Sequence, residues 1–135
     1  MSHSIEKVAF HTLGCKLNFS ETSFIANDVK KGGFKQVDFN QISDIYVINT
    51  CSVTQNANKE CQYLVRKVLK LNPYARIVIM GCYAQLKPEE ISKIKGVDLV
   101  LGNNEKFKLK QYISDLDNIE NTQIIHKSVD KLYDF

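Results

Sequence analysis

Three runs of apolar residues punctuate the chain. Val8-Ala9-Phe10, Ile45-Tyr46-Val47-Ile48 and Ile77-Val78-Ile79-Met80 are short, continuous and rich in β-branched residues, the pattern of strands buried on both faces. Val97 to Leu101 reads as another strand, and Phe34 to Val37 is a weaker strand candidate. Between them the period changes to that of helices. Ser20 offers an N-cap for a helix running to about Lys31, with Phe24, Ile25 and Val29 as its apolar stripe and Gly32-Gly33 as its stop. A second helix, from about Ala57 to Leu71, places Cys61, Leu64, Val65, Val68 and Leu69 on one face and ends at Asn72-Pro73. Residues 83–86 read as a loop. Pro88 opens a third helix with Glu89 and Glu90 in its first turn, and a last helix is expected from about Glu105 to Leu116.

The resulting order is β-α-β-β-α-β-α-β-α. Such alternation predicts an α/β fold, a flavodoxin-like three-layer sandwich with a mostly parallel sheet. Residues 1–116 are expected to form the domain. Residues 117–135 change character, polar up to Gln123 with one apolar step at Ile124-Ile125, and read as a linker or a stray strand.

Composition narrows the picture little: 135 residues, 44% hydrophobic and 24% charged, fit one ordinary globule. The net charge of +3 is compatible with a nucleic-acid partner without arguing for one. The N-terminus carries no apolar signal core and no run is long enough for a membrane helix. The expected location is therefore cytoplasmic, away from membranes, where thiols stay reduced.

The cysteines change the picture most. Cys15, Cys51 and Cys82 each stand where an apolar run gives out, 36 and 31 residues apart, about one strand-helix-strand unit each time. Parallel sheets bind ligands at the C-terminal strand edge, and all three thiols should fall on that edge. Cys61 lies on an apolar helix stripe and reads as core. Structural zinc usually shows close C-x2-C pairs, and there are none; His11 and His126 could in principle add a ligand. Phosphate-loop chemistry would need an arginine six residues after a cysteine, where Glu21, Ala57 and Pro88 stand. A redox dithiol would need C-x-x-C. The first turn, TLGCKLNFS, has one glycine and no phosphate cradle. An iron–sulfur cluster suits three reduced thiolates, with Lys16 and the positive helix ends nearby. Asn18, Asn49, Thr50 and Gln85 share these loops as candidate hydrogen-bond donors or as turn and cap residues. Two readings stand: a cluster-carrying domain, or a non-catalytic flavodoxin-like nucleotide-binding or interaction module with incidental buried cysteines.

The segments TLGCKLNFSET, VINTCSVT, GCYAQ and LGNNEK resemble the N-terminal domain of the radical S-adenosylmethionine methylthiotransferases, from about Lys7 to Leu116. The resemblance implies that Cys15, Cys51 and Cys82 bind an auxiliary [4Fe–4S] cluster, and it gives Cys61 no ligand role. The run Gly14-Cys15-Lys16-Leu17-Asn18 with Ser20-Glu21-Thr22 is most similar to the branch acting on threonylcarbamoyladenosine in tRNA. That family's CxxxCxxC motif, which holds a second [4Fe–4S] cluster and S-adenosylmethionine, has no match here, since no cysteine follows Cys82. The resemblance therefore implies a domain that needs radical S-adenosylmethionine and RNA-binding domains of the same polypeptide, acts on tRNA only with them, and is inactive alone.

Overall fold

A computed structural model of the chain describes residues 6–13, 16–50, 55–102, 105–114 and 123–125. Its centre is a six-stranded sheet in the order β2-β1-β3-β4-β5-β6. The strands are β1 (Lys7–Thr12), β2 (Lys35–Val37), β3 (Ile45–Thr50), β4 (Arg76–Gly81), β5 (Leu99–Leu101) and β6 (Gln123–Ile125). Every pairing is parallel. The expected α/β sandwich of flavodoxin type is what the chain forms, and the weak strand candidate at Phe34 to Val37 is the edge strand β2. Three residues of the tail, 123–125, extend the sheet beyond β5.

Alternation along the strands sorts the core into two layers. Ile45 and Val47 of β3 join Val78 and Met80 of β4 and Leu99 and Leu101 of β5 in one cluster, closed by Ile25 and Val29 of α1 (Lys16–Lys31) and Leu109 and Ile113 of α5 (Leu109–Ser114). Tyr46, Ile48, Ile77, Ile79 and Val100 face the other way, against Cys61, Leu64, Val65 and Val68 of α2 (Gln55–Leu71). Tyr83 and Ala84 of α3 (Cys82–Leu86) and Ile91 of α4 (Pro88–Ser92) complete that layer. All six residues of β3 are buried, which is why its sequence has no polar alternation. Each fully buried Ile or Leu here contributes roughly 1.5–3 kcal/mol relative to an exposed one.

The helices depart from expectation in four places. α1 begins at Lys16 rather than after a Ser20 cap. Its buried stripe is Thr22, Ile25, Ala26 and Val29, and the tertiary hydrogen bonds of Thr22 outweigh the weak local preference of Ser20 for a cap. Phe24 is 65% exposed instead of joining that stripe; it lies one residue, about 100° of helix, away from Ile25, and meets Phe107 edge-on at 6.2 Å. Residues 83–86 are helical, because Tyr83 and Ala84 bury into the α2-side core. The last helix opens with a 3-10 turn, Lys106–Lys108, before α5.

Candidate thiol site at the sheet edge

β1, β3 and β4 are adjacent, and β1 and β3 flank the point where strand order reverses. Their C-terminal ends are in register: Thr12 pairs with Asn49, and Thr50 with Gly81. Leu13 continues the ladder, its N–H donating to the Asn49 carbonyl at 2.8 Å. Neighbouring strands are about 4.8 Å apart, so these three ends share a short stretch of one edge. Cys15 and Cys51 lie outside the described residues. In sequence they follow Thr12 by three positions and Thr50 by one.

Cys82 is described, and it directly follows Gly81 at the head of α3, half-buried. It therefore sits on the C-terminal edge, as its place after the β4 run implies. Cys61 is fully buried on α2 among Leu64, Val65 and Val68, the core position read from its stripe. Burial pushes the Cys61 thiol up to about 12, with the Glu60 carboxylate adding to the shift. One thiol of the described pair is thus a core filler, and the other stands at the C-terminal edge of the sheet.

A buried polar network joins the strand ends. The Thr12 hydroxyl donates to the Thr22 hydroxyl at 2.8 Å, and Asn49 Nδ2 donates to the same oxygen at 3.0 Å. The Thr50 hydroxyl donates to the Met80 carbonyl at 2.8 Å and accepts the Tyr83 N–H at 3.2 Å. Beyond Cys82 the Tyr83 ring is buried, and its hydroxyl donates to Glu90 Oε1 at 2.5 Å while accepting from Asn58 Nδ2 at 2.8 Å. Burial and the Glu90 contact push the Tyr83 phenol up to about 12, so it stays a neutral donor. Asn49 and Thr50, candidates for turn chemistry or for ligand contact, serve the strand ends. Thr22 and Tyr83 were not legible as site residues; their partners are 27 and 33 residues away in sequence, beyond any local pattern.

His11 is half-buried on β1 against Phe39, ring centroids 4.9 Å apart, so it behaves as a strand residue. His126 lies outside the described residues. Burial holds the His11 pKa below 6.5, with smaller opposing contributions from Glu60 and Lys67. The folded chain therefore binds fewer protons than the unfolded one as pH falls below 6.5, and stability drops there. Urea melts at pH 7.5 and 5.5 should show this loss, and His11→Leu should shrink it; an equal loss in the variant contradicts the assignment.

No cluster of three or more metal-donor side chains occurs among the described residues. Two large grooves lie off the thiol edge. One, about 950 Å³, is lined by Lys7, Lys35 and Leu71 at the opposite strand ends; the other, about 940 Å³, runs between α2 and α4. No described helix is long and apolar enough to cross a membrane.

Residues 7–102 match the model of the family described as "Uncharacterized protein family UPF0004". Among curated proteins, the chain is 46% identical over 106 residues to threonylcarbamoyladenosine tRNA methylthiotransferase MtaB of Bacillus subtilis, covering 78% of this chain and 24% of that protein. It is 40% identical to the MtaB of Aquifex aeolicus, over 81% of this chain and 27% of the relative. A tRNA-2-methylthio-N(6)-dimethylallyladenosine synthase of Christiangramia forsetii is 29% identical, over 82% and 24%. The chain thus spans about a quarter of the length of these relatives. Among solved structures, a pilus assembly-related protein of Burkholderia pseudomallei superposes with a TM-score of 0.58 at 13% identity, covering 88% of this chain and 95% of that one; that likeness concerns the fold alone.

Proposed function

The chain belongs to the UPF0004 family, as the N-terminal domain of the MtaB-type methylthiotransferases, and from that premise we propose that it is the auxiliary [4Fe–4S] domain of a tRNA methylthiotransferase. Cys15, Cys51 and Cys82 are the ligands in this reading. The observation that carries it is the register of β1, β3 and β4. Three adjacent parallel strands end together, and each is followed within three residues by one of these cysteines. The donor set fits the group: three thiols suit iron–sulfur chemistry, and Cys82 is half-buried at the edge while Cys61 is sealed in the core.

The protein's part in the reaction is to hold and orient. Thiolates at Cys15, Cys51 and Cys82 bind iron. Gly81 lets the chain leave β4 within touching distance of β3, and α1 and α2 begin just after the first two cysteines, their positive ends favouring a negatively charged group. α3 has five residues and adds little to that field. When bound, the cluster supplies an iron without a protein ligand, a place for sulfur. The substrate of the whole enzyme is tRNA, on this reading N6-threonylcarbamoyladenosine next to the anticodon, methylthiolated at C2. Radical S-adenosylmethionine and RNA-binding domains of the same polypeptide supply the second cluster, S-adenosylmethionine and the RNA grip.

Anaerobic reconstitution with iron and sulfide tests the ligand set. About four irons and four sulfides per chain are expected, kept in Cys61→Ala and lost in Cys15→Ala, Cys51→Ala or Cys82→Ala. A Cys82→Ala chain that retains the full iron count overturns the assignment.

A further inference from the structure

α2 turns one basic face away from the core. Lys59, Tyr63, Arg66 and Lys70 are all exposed, and at 3.6 residues per turn they fall within about 60° of one another. The buried stripe of Cys61, Leu64, Val65 and Val68 lies on the other side of the helix. α2 follows β3 and so starts at the C-terminal edge of the sheet. The basic face begins about one turn below that edge and extends over about 17 Å of helix axis, from Lys59 to Lys70. Tyr63 is 57% exposed, a ring that a merely solvated helix face has no use for.

A second wall comes from a distant part of the chain. The turn after α4 packs directly on α2: a Cβ on Gly96 would stand 2.6 Å from Leu69 Cδ1 and 3.2 Å from Val65 Cγ1. Lys93 and Lys95, both exposed, therefore line the groove between α2 and α4 together with Arg66. The carboxylates of that groove, Glu89 and Glu90, belong to its other end. Glu90 accepts from Asn58 Nδ2 at 2.9 Å and from the Tyr83 hydroxyl, and Asn58 lies about 12 Å along the helix from Arg66. Among the described residues, no salt bridge or side-chain hydrogen bond engages Lys59, Arg66, Lys70, Lys93 or Lys95. Like charges gathered this way repel one another, and a bound polyanion relieves the repulsion. Basic side chains hold phosphates without regard to sequence, and an exposed ring stacks on any base. Together they favour RNA over an acidic protein surface.

We propose that the outer face of α2, with Lys93 and Lys95 across the groove, is a sequence-independent contact for the phosphate backbone of RNA, additional to the grip of the other domains. That the RNA is tRNA rests on the preceding section; the basic track itself does not.

The test measures binding of a fluorescein-labelled RNA stem-loop of arbitrary sequence to the iron-free chain, by anisotropy in about 0.1 M salt. Arg66→Gln, Lys93→Gln and Lys95→Gln together remove three exposed cations. This triple should weaken binding at least about tenfold and reduce the slope of log K against log salt by about 2. Lys7→Gln, Lys30→Gln and Lys35→Gln together remove the same charge from the groove at the opposite strand ends and should leave binding within about twofold of the parent. Both triples should melt in urea like the parent, since these side chains are exposed. A parent that binds no RNA, two triples that weaken equally, or RNA displaced as readily by polyglutamate of equal charge overturns the proposal, the last result assigning the face to an acidic protein. Iron counts on the same variants separate this contact from the cluster. RNA binding through this face by a chain that takes up no iron overturns the cluster assignment alone. Full iron uptake with RNA binding indifferent to the Arg66 triple overturns the contact alone.

Discussion

Gly81→Ala should be the most damaging single-methyl change in the described chain, lowering stability by on the order of 4 kcal/mol. Two costs add. At φ 105 and ψ −160 the backbone lies in a region that is essentially glycine-only, worth about 1–3 kcal/mol for another residue. The new Cβ would also stand 2.3 Å from the Thr50 carbonyl oxygen and 2.7 Å from Asn49 Oδ1. Neither β3 nor the buried Asn49 can retreat cheaply, because both are packed on all sides. Gly33 separates the two costs. It too has a positive φ, 100, but an added Cβ would meet nothing within 4 Å, so Gly33→Ala should lose only about 1–2 kcal/mol. Urea melts of both variants give the comparison, and equal losses contradict the claim that close approach dominates at Gly81. Single domains are stable by only about 5–15 kcal/mol, so Gly81→Ala removes a large share and separates the β3 and β4 ends.

The second large effect is a difference between cysteines. A thiol with a pKa pushed up to about 12 is ionised in only about one molecule in 10⁴ at pH 8, against roughly a quarter for an unperturbed thiol. Cys61 is also fully buried. A pulse of iodoacetamide on the iron-free native chain should leave Cys61 at least ~10³-fold slower to react than in urea-unfolded chain, while the half-buried Cys82 is labelled. Peptide mass spectrometry reads the two sites separately. Rapid native labelling of Cys61 would show that α2 opens locally and that its core assignment fails. The same shift carries a pH consequence. Because the folded pKa is raised, Cys61 contributes stability that is complete below about 9 and lost as pH climbs towards 12.

Much of the architecture was written in the order of residues. Continuous apolar runs such as Ile45 to Ile48 mark strands sealed on both faces, because water exclusion leaves no polar side to encode. The stripe of Cys61, Leu64, Val65 and Val68 marked a helix face and placed Cys61 in the core. Pro88 followed by two glutamates opened α4 where its fixed φ and missing N–H suit a first turn. The position of Cys82 after an apolar run put it at the C-terminal edge, since each parallel strand returns the chain to the same side of the sheet.

The errors have a common cause. Ser20 is a cap by local preference, yet α1 starts at Lys16; a local preference of about 1 kcal/mol is outweighed by the contacts of Thr22 with Thr12 and Asn49. Phe24 is apolar and close to the right spacing, but one helical step turned it outward. Residues 83–86 look like a loop because nothing nearby shows that Tyr83 has a pocket, and their helix exists because α2 and α4 supply one.

What the sequence determined by itself is therefore what depends on short-range periodicity: strands, most helices, the parallel α/β class and the spacing of the cysteines. Only the tertiary structure decided which strands are neighbours, that Thr12 meets Asn49 and Thr50 meets Gly81, and that a threonine on one strand caps the helix on the next. Those pairings join residues some 30 or more positions apart. Their energies come from burial and from hydrogen bonds between separate segments, and no local pattern of side chains records them.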